Sequence, residues 1–196
     1  AGVQVFAAHG HRYGVKNGLL RFHLAAQENG AALALFGHTH APYCREENGI
    51  WLVNPGACRG LYATYAVITL EDGRYIVIDG GYDSDVSRLR SYLRDNNKRT
   101  DGIKIAAWIM THSHPDHYGC LDAFYFNCAS WGIEVEYVIA NPVPESRQNP
   151  NFAYEAWMRD KLPKIVERLG AKYVMPHAGQ VLRFCNAELE ILYTHE

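Results

Sequence analysis

The chain has 196 residues, 48% hydrophobic and 20% charged, with a net charge of -2, which suits one substantial core or two small ones. The near-neutral balance excludes the electrostatic footprint of a protein that binds nucleic acid or an anionic membrane. No apolar run approaches the roughly 20 residues a bilayer span needs and no signal peptide is visible, so the expected compartment is the cytoplasm. Five scattered cysteines (Cys44, Cys58, Cys120, Cys128, Cys185) form no Cys-x-x-Cys pair, which argues for buried thiols over a disulfide frame. The chain begins at Ala1 in one strand-like run and ends beyond another, 189–193, the pattern of a chain cut at both ends.

In chain order, a strand from Val3 to Ala8 leads into the glycine-punctuated loop His9-Gly10-His11-Arg12-Tyr13-Gly14. Val15, Leu19, Phe22 and Ala26 then recur at helical spacing, predicting a helix from Val15 to about Glu28 that Asn29-Gly30 ends. His23 lies beside that apolar stripe and reads as structural. A short strand from Ala32 to Phe36 delivers Gly37-His38-Thr39-His40. There a buried strand ends, glycine turns the backbone, and two imidazoles at i and i+2 project together, as metal ligation requires. Strands are expected at 50–53 and 62–70, with the loop Asn54-Pro55-Gly56-Ala57-Cys58 between them.

This order of parts is similar to the C-terminal half of the calcineurin-like metallophosphoesterases, over about residues 3–72. The resemblance implies His9 and His38 as ligands of one ion and His40 as a ligand of the other, with His40 also a catalytic candidate. His11 and Arg12 follow His9 closely and are candidates for orienting a ligand or for meeting a phosphate oxygen. The family's N-terminal motifs, Asp-x-His, Gly-Asp and Gly-Asn-His, do not occur in the chain, and with them goes the carboxylate that bridges the ions.

Asp72-Gly73 forms a turn into the strand at 75–78, followed by Asp79-Gly80-Gly81 and a helix from Asp83 or Ser84 to Asn96. The apolar run from Ile103 to Met110 reads as a buried strand, and it delivers His112-Ser113-His114-Pro115-Asp116-His117. His112 and His114 are two apart in an extended segment and point the same way, so both can face one ion. Pro115 breaks the strand and brings Asp116 and His117 alongside, aimed where a second ion would sit. A helix over 117–129, a strand over 133–140, a proline-rich loop over 141–150 and a helix over 152–169 follow, the last kinked or split by Pro163. Short strands near Tyr173, Leu182 and Leu189 close the chain.

From about Asp72 onward, the strand, the Asp79-Gly80-Gly81 turn and the histidine hexapeptide resemble the N-terminal half of the metallo-β-lactamase fold superfamily. Both resemblances imply an α/β, four-layer αββα sandwich: two stacked mixed sheets with helices outside. Here it would be assembled from two half-domains, 1–72 and 73–196, packing as one globular domain. If the two loops converge, His9, His38, His40, His112, His114, Asp116 and His117 supply six imidazoles and one carboxylate, enough for two divalent ions. Zinc is favoured by that ligand chemistry, with manganese or iron the alternatives. Asp116 is the first choice to lie between the ions and to act in catalysis, and Asp79 is the reserve. The implied activity is a dinuclear hydrolase in which a water shared by the ions loses its proton and attacks a small phosphoester substrate. Esters, thioesters or lactones are the alternative on the lactamase-fold side, and a composite metal-binding scaffold without turnover is the reading outside enzymology.

Overall fold

The computed structural model of the chain describes residues 2–56, 64–149, 151 and 153–191. Cys58 and the first residues of the strand expected at 62–70 lie outside them. The chain is an α/β protein whose described residues form two six-stranded mixed sheets with helices beside them, divided into two compact units.

The first unit takes residues up to 56 together with the C-terminal segment from 177 onward. Its strands are β1 (Val3–Ala8), β2 (Leu33–Phe36), β3 (Tyr43–Glu47), β4 (Ile50–Asn54) and, from the far end of the chain, β11 (Val181–Phe184) and β12 (Ala187–Glu190), in the order β11-β12-β1-β2-β4-β3. β12, β1, β2 and β4 run parallel, and β3 and β11 pair antiparallel at the edges. The helix α1 (Leu20–Glu28) packs Phe22 and Ala26 against Phe6, Ala34, Phe36, Ile50 and Leu52. The expected helix is shorter at its start: Val15–Asn17 is a separate 3-10 turn and Gly18, at φ 133°, breaks the run. Val15, Phe22 and Ala26 are buried as their spacing predicts. His23 is buried and its Nε2 lies 3.0 Å from the Glu47 carbonyl oxygen, a structural bond to the edge strand.

Among the described residues, the second unit takes 64 to 176. It holds β5 (Ala66–Thr69), β6 (Tyr75–Ile78), β7 (Ile103–Met110), β8 (Ile133–Val135), β9 (Tyr137–Ala140) and β10 (Lys172–Val174). The sheet order is β10-β9-β7-β6-β5, and β8 pairs with the start of β7 while β9 pairs with its end. The single strand expected over 133–140 is therefore interrupted at Glu136, whose side chain turns to accept from Arg74 Nη1 at 2.6 Å. All pairs except β5 with β6 are parallel, and β6 is buried at all four positions, the continuous apolar reading of a parallel strand covered on both faces.

The helices α2 (Val86–Asn96), α3 (Pro115–Phe124), α4 (Ala153–Asp160) and α5 (Leu162–Leu169) contribute Leu89, Leu93, Cys120, Leu121, Phe124, Met158, Leu162 and Ile165 to one core with Tyr75, Val77, Ile105 and Trp108. α3 begins at Pro115, two residues before the expected start, because proline suits the first turn, where its missing N–H is not needed. Pro163 splits the expected 152–169 helix in the same way, standing in the first turn of α5. Gly119 lets α3 approach the 3-10 turn Asp83–Asp85: a Cβ there would lie 2.8 Å from the Asp83 backbone nitrogen.

The sequence assigned 73–196 wholly to the second half, whereas β12 pairs in parallel with β1, Val3 opposite Ala187 and Val5 opposite Leu189. β1 is buried at Val5 and Phe6, and its hydrogen-bonding edge is satisfied by a strand from the distant end of the chain.

Candidate metal centre

The two histidine loops arise from one structural rule applied twice. In an open α/β sheet, the loops leaving the carboxyl ends of adjacent parallel strands emerge at one edge, and ligands bind there. In the first unit β1 ends into His9 and its neighbour β2 ends into His38. In the second, β6 ends into Asp79 and its neighbour β7 ends into His112.

In the first cluster His9 Nε2 lies 3.1 Å from His38 Nδ1. The His11 ring joins them, 5.3 Å from His9 and 6.1 Å from His38 between centroids. His38 and His40 both hold left-handed backbone, at φ 67° and 58°, a conformation uncommon outside glycine. Asn54, buried at the end of β4, anchors this loop: its Nδ2 donates to the Gly37 carbonyl at 3.1 Å and to Thr39 Oγ1 at 2.9 Å, while its Oδ1 accepts from the Gly56 N–H at 2.8 Å. Partial burial lowers the pKa of His38, and the charge of Lys16 and the neighbouring His11 and His40 add to it. His40 and Arg12 are exposed.

The second cluster is tighter. His112 Nε2 lies 3.0 Å from His114 Nδ1, and His117 Nε2 lies 3.7 Å from Asp116 Oδ2. The His112 and His117 rings sit 3.8 Å apart between centroids. Behind them is Asp79, 5% exposed and at φ 61°. Its Oδ1 accepts from the Thr111 backbone N–H at 2.9 Å, and its Oδ2 lies 2.8 Å from both Thr111 Oγ1 and His117 Nδ1. The Asp79 carbonyl accepts from the buried Trp108 indole, and its N–H donates to Ile109 O at 2.8 Å, so the residue is held at both backbone ends. Both carboxylate oxygens are engaged with Thr111 and His117, which sets Asp79 behind the histidines and leaves Asp116 the partly exposed carboxylate beside them.

Electrostatics separate the two rings that touch. Burial pushes His112 down to about 4, and the adjacent His117 adds to that. Burial acts on His117 in the same direction, but the hydrogen bond and charge of Asp79, with Asp116, outweigh it and raise its pKa. His112 is thus neutral at pH 7 and keeps a lone pair for a metal ion.

Two neighbours have no role that the sequence assigns. Thr111 links Asp79 to His112, its Oγ1 lying 3.0 Å from His112 Nδ1. A polar residue closing an apolar strand directly before the first histidine was the available signal. Tyr154, on α4, stands edge-on to His114 with ring centroids 4.6 Å apart. Nothing local in the sequence marks it, because the contact exists only once α4 folds beside the hexapeptide.

Zinc with bonds of about 2.0–2.1 Å to nitrogen spaces neighbouring tetrahedral donors about 3.3 Å apart. The His9–His38 and His112–His114 separations of 3.1 and 3.0 Å are close to such an edge. Each loop therefore fits part of a metal ligand set. Among the described residues, no group of three or more His, Cys, Asp or Glu side chains converges as a complete one.

Comparison with known proteins gives two family matches that overlap at residues 59–73. Residues 59–188, about two thirds of the chain, match the Metallo-beta-lactamase superfamily. The chain belongs to that superfamily. Ahead of this metallo-β-lactamase segment, residues 1–73 match the calcineurin-like phosphoesterase superfamily domain. A curated relative is the probable metallophosphoesterase YsnB of Bacillus subtilis (strain 168), 34% identical over 73 residues, which are 35% of this chain and 43% of that protein. Among solved structures, a conserved uncharacterized protein, a predicted phosphoesterase from Streptococcus pneumoniae TIGR4, is 29% identical over 38% of this chain and 41% of its own, with a TM-score of 0.29. The chain spans less than half the length of either relative.

Proposed function

We propose that the chain is a metal-dependent hydrolase acting on phosphoesters, with the loop from His112 to His117 as the core of its metal centre. The observation that carries this reading is the paired presentation of donors: His112 Nε2 beside His114 Nδ1, and Asp116 Oδ2 beside a His117 whose far nitrogen is bound to Asp79. Two pairs on one loop suit two divalent ions, and imidazole-rich donors favour zinc over manganese or iron. His112 and His114 would hold one ion, and Asp116 and His117 the other. When bound, such ions supply Lewis-acid chemistry, lowering the pKa of water towards neutrality and offsetting charge on phosphoryl oxygens.

The chain's own residues do the positioning. Asp79 keeps the His117 proton on Nδ1, and the low pKa of His112 keeps that ring neutral at pH 7. Asp116, partly exposed beside His117, is the group placed to exchange a proton with solvent or substrate. The phosphoester preference rests on the first 73 residues and their likeness to phosphoesterases. In this reading His9, His38 and His40 are the metal ligands of the first loop, with His40 its catalytic candidate and His11 and Arg12 its polar surround.

A metal-binding scaffold without turnover is the second reading, favoured by each loop's presenting one pair of imidazole nitrogens at ligand spacing. Metal analysis combined with hydrolysis of a generic aryl phosphodiester separates the two. Hydrolysis that needs added zinc and is lost in His112→Ala supports the enzyme, and bound zinc with no turnover supports the scaffold. Loss of turnover in His38→Ala as well would bring the first loop into the activity; unchanged metal content and rate there would remove it.

A further inference from the structure

A neutral imidazole binds metal through the nitrogen that carries no proton, so something must decide which nitrogen that is. For His117 the decision is direct: Nδ1 faces the Asp79 carboxylate at 2.8 Å and must be the protonated nitrogen to donate to it. For His112, no carboxylate of the described residues is in contact with Nδ1. Its neighbour there is the Thr111 hydroxyl, at 3.0 Å. A hydroxyl has one proton to give, and that of Thr111 lies 2.8 Å from Asp79 Oδ2 and 3.1 Å from Oδ1. With its proton committed to the carboxylate, Thr111 Oγ1 can only accept from His112. The imidazole proton is then on Nδ1 and the lone pair on Nε2, the atom 3.0 Å from His114 Nδ1.

We propose that Thr111 is a positioning residue that relays the Asp79 carboxylate to His112, so that one buried acid sets the tautomer of two histidines, one directly and one through a hydroxyl. The inference rests on the reading of this loop as a metal centre only for its purpose; the tautomers themselves are a property of the metal-free chain. The same geometry fixes the third ring. With His112 Nε2 bare, the 3.0 Å contact is a hydrogen bond only if His114 donates from Nδ1. A metal ion taking both nitrogens therefore requires the His114 proton to move from Nδ1 to Nε2, while the His112 proton stays where it is.

Nitrogen NMR of the imidazole rings in the metal-free chain, at a pH where the rings are neutral, tests this without reference to activity. The expected wild-type result is the Nδ1–H tautomer at His112, His114 and His117. Thr111→Val keeps the β-branched shape and the backbone N–H bond to Asp79 but has no hydroxyl. It is expected to release His112 into a mixture of tautomers, leave His117 unchanged, and weaken zinc binding by about 10- to 100-fold, the usual loss when an outer partner of a ligand is removed. Thr111→Ser is expected to restore both properties. A wild-type His112 protonated on Nε2 overturns the relay without any variant, and so does a Thr111→Val protein with wild-type tautomers and zinc affinity. If the tautomers are as expected but zinc-loaded chain does not hydrolyse the aryl phosphodiester, the relay stands and the hydrolase reading fails. If hydrolysis occurs and Thr111→Val keeps wild-type tautomers and zinc affinity, the reverse holds.

Discussion

The two histidine loops are built on the same plan and secured by different means. Each leaves the carboxyl end of a buried parallel strand and brings two imidazole nitrogens to 3.0–3.1 Å. The first is secured through its backbone: Asn54 bonds to the Gly37 carbonyl and the Gly56 N–H, and the left-handed turns at His38 and His40 fix where the rings emerge. The second is secured through its side chains, by a buried carboxylate bonded to Thr111 and His117. Backbone anchoring fixes where a ligand stands, while a carboxylate behind the ring also fixes which nitrogen it offers. The difference makes the second loop the better prepared half-site and assigns each loop its own point of failure.

The largest effect is expected at Asp79. Asn in its place tolerates the left-handed backbone at φ 61° and still offers an oxygen to the Thr111 N–H. Its amide would turn an N–H donor towards the Nδ1–H of His117, and two donors cannot share that contact. Asp79→Asn is therefore expected to lose about 10- to 100-fold in zinc affinity at the second loop. Titration calorimetry checks it, and wild-type affinity in the variant would abolish the distinction between the loops. The first loop is expected to keep its His9–His38 contact.

How much of this was legible in the sequence follows the same division between local and distant causes. The apolar runs that end in histidines gave the sheet edge and the paired imidazoles, because alternation along a strand is a local rule, whereas the helix expected from 117 starts two residues earlier, at Pro115. The Phe22 and Ala26 stripe was legible for the same reason, although the 3-10 turn before Gly18 was not. β3, Tyr43-Cys44-Arg45-Glu46-Glu47, went unread since a mostly exposed edge strand carries no apolar pattern. The pairing of β12 with β1 joins residues more than 180 positions apart, and no local rule reports that. Asp79 was singled out by its place at a strand end, but its position behind His117 depends on the lateral neighbour β7, and Thr111 became visible only with it.

A middle-sized effect is expected at Asn54, which tests the backbone side of the comparison. Asn54 is 2% exposed and satisfies three partners. Asn54→Ala leaves the Gly37 carbonyl and the Gly56 N–H without it, at about 1–3 kcal/mol of stability. Thermal melting should register the loss, and hydrogen exchange should show faster opening at the Thr39 N–H, which now donates to Gly37 O at 2.8 Å. The rings of His112, His114 and His117 should keep their resonances. Protection at Thr39 equal to wild type would mean that the left-handed turn holds itself and needs no anchor.

The smallest effect is a pH dependence beneath the second loop. Tyr65 packs against the core that holds Trp108 and Cys120, and burial, with the nearby Cys120 thiol, pushes its phenol from 10.0 up to about 12. A raised pKa means that the folded state favours the neutral phenol. Its contribution is fully present below pH 10, where the unfolded chain is also protonated, and is lost as pH rises through about 12. Two units correspond to about 2.7 kcal/mol at most, and because the ring is only half buried the realised amount is about 1–2 kcal/mol. Tyr65→Phe removes the titration, so the stability of wild type relative to the variant should fall across that window and stay flat below it. A difference that is constant from neutral pH to the alkaline limit would show that water reaches the phenol, and that the side-chain clamp at Asp79 stands over a wetter interior than the burial of Trp108 and Cys120 implies.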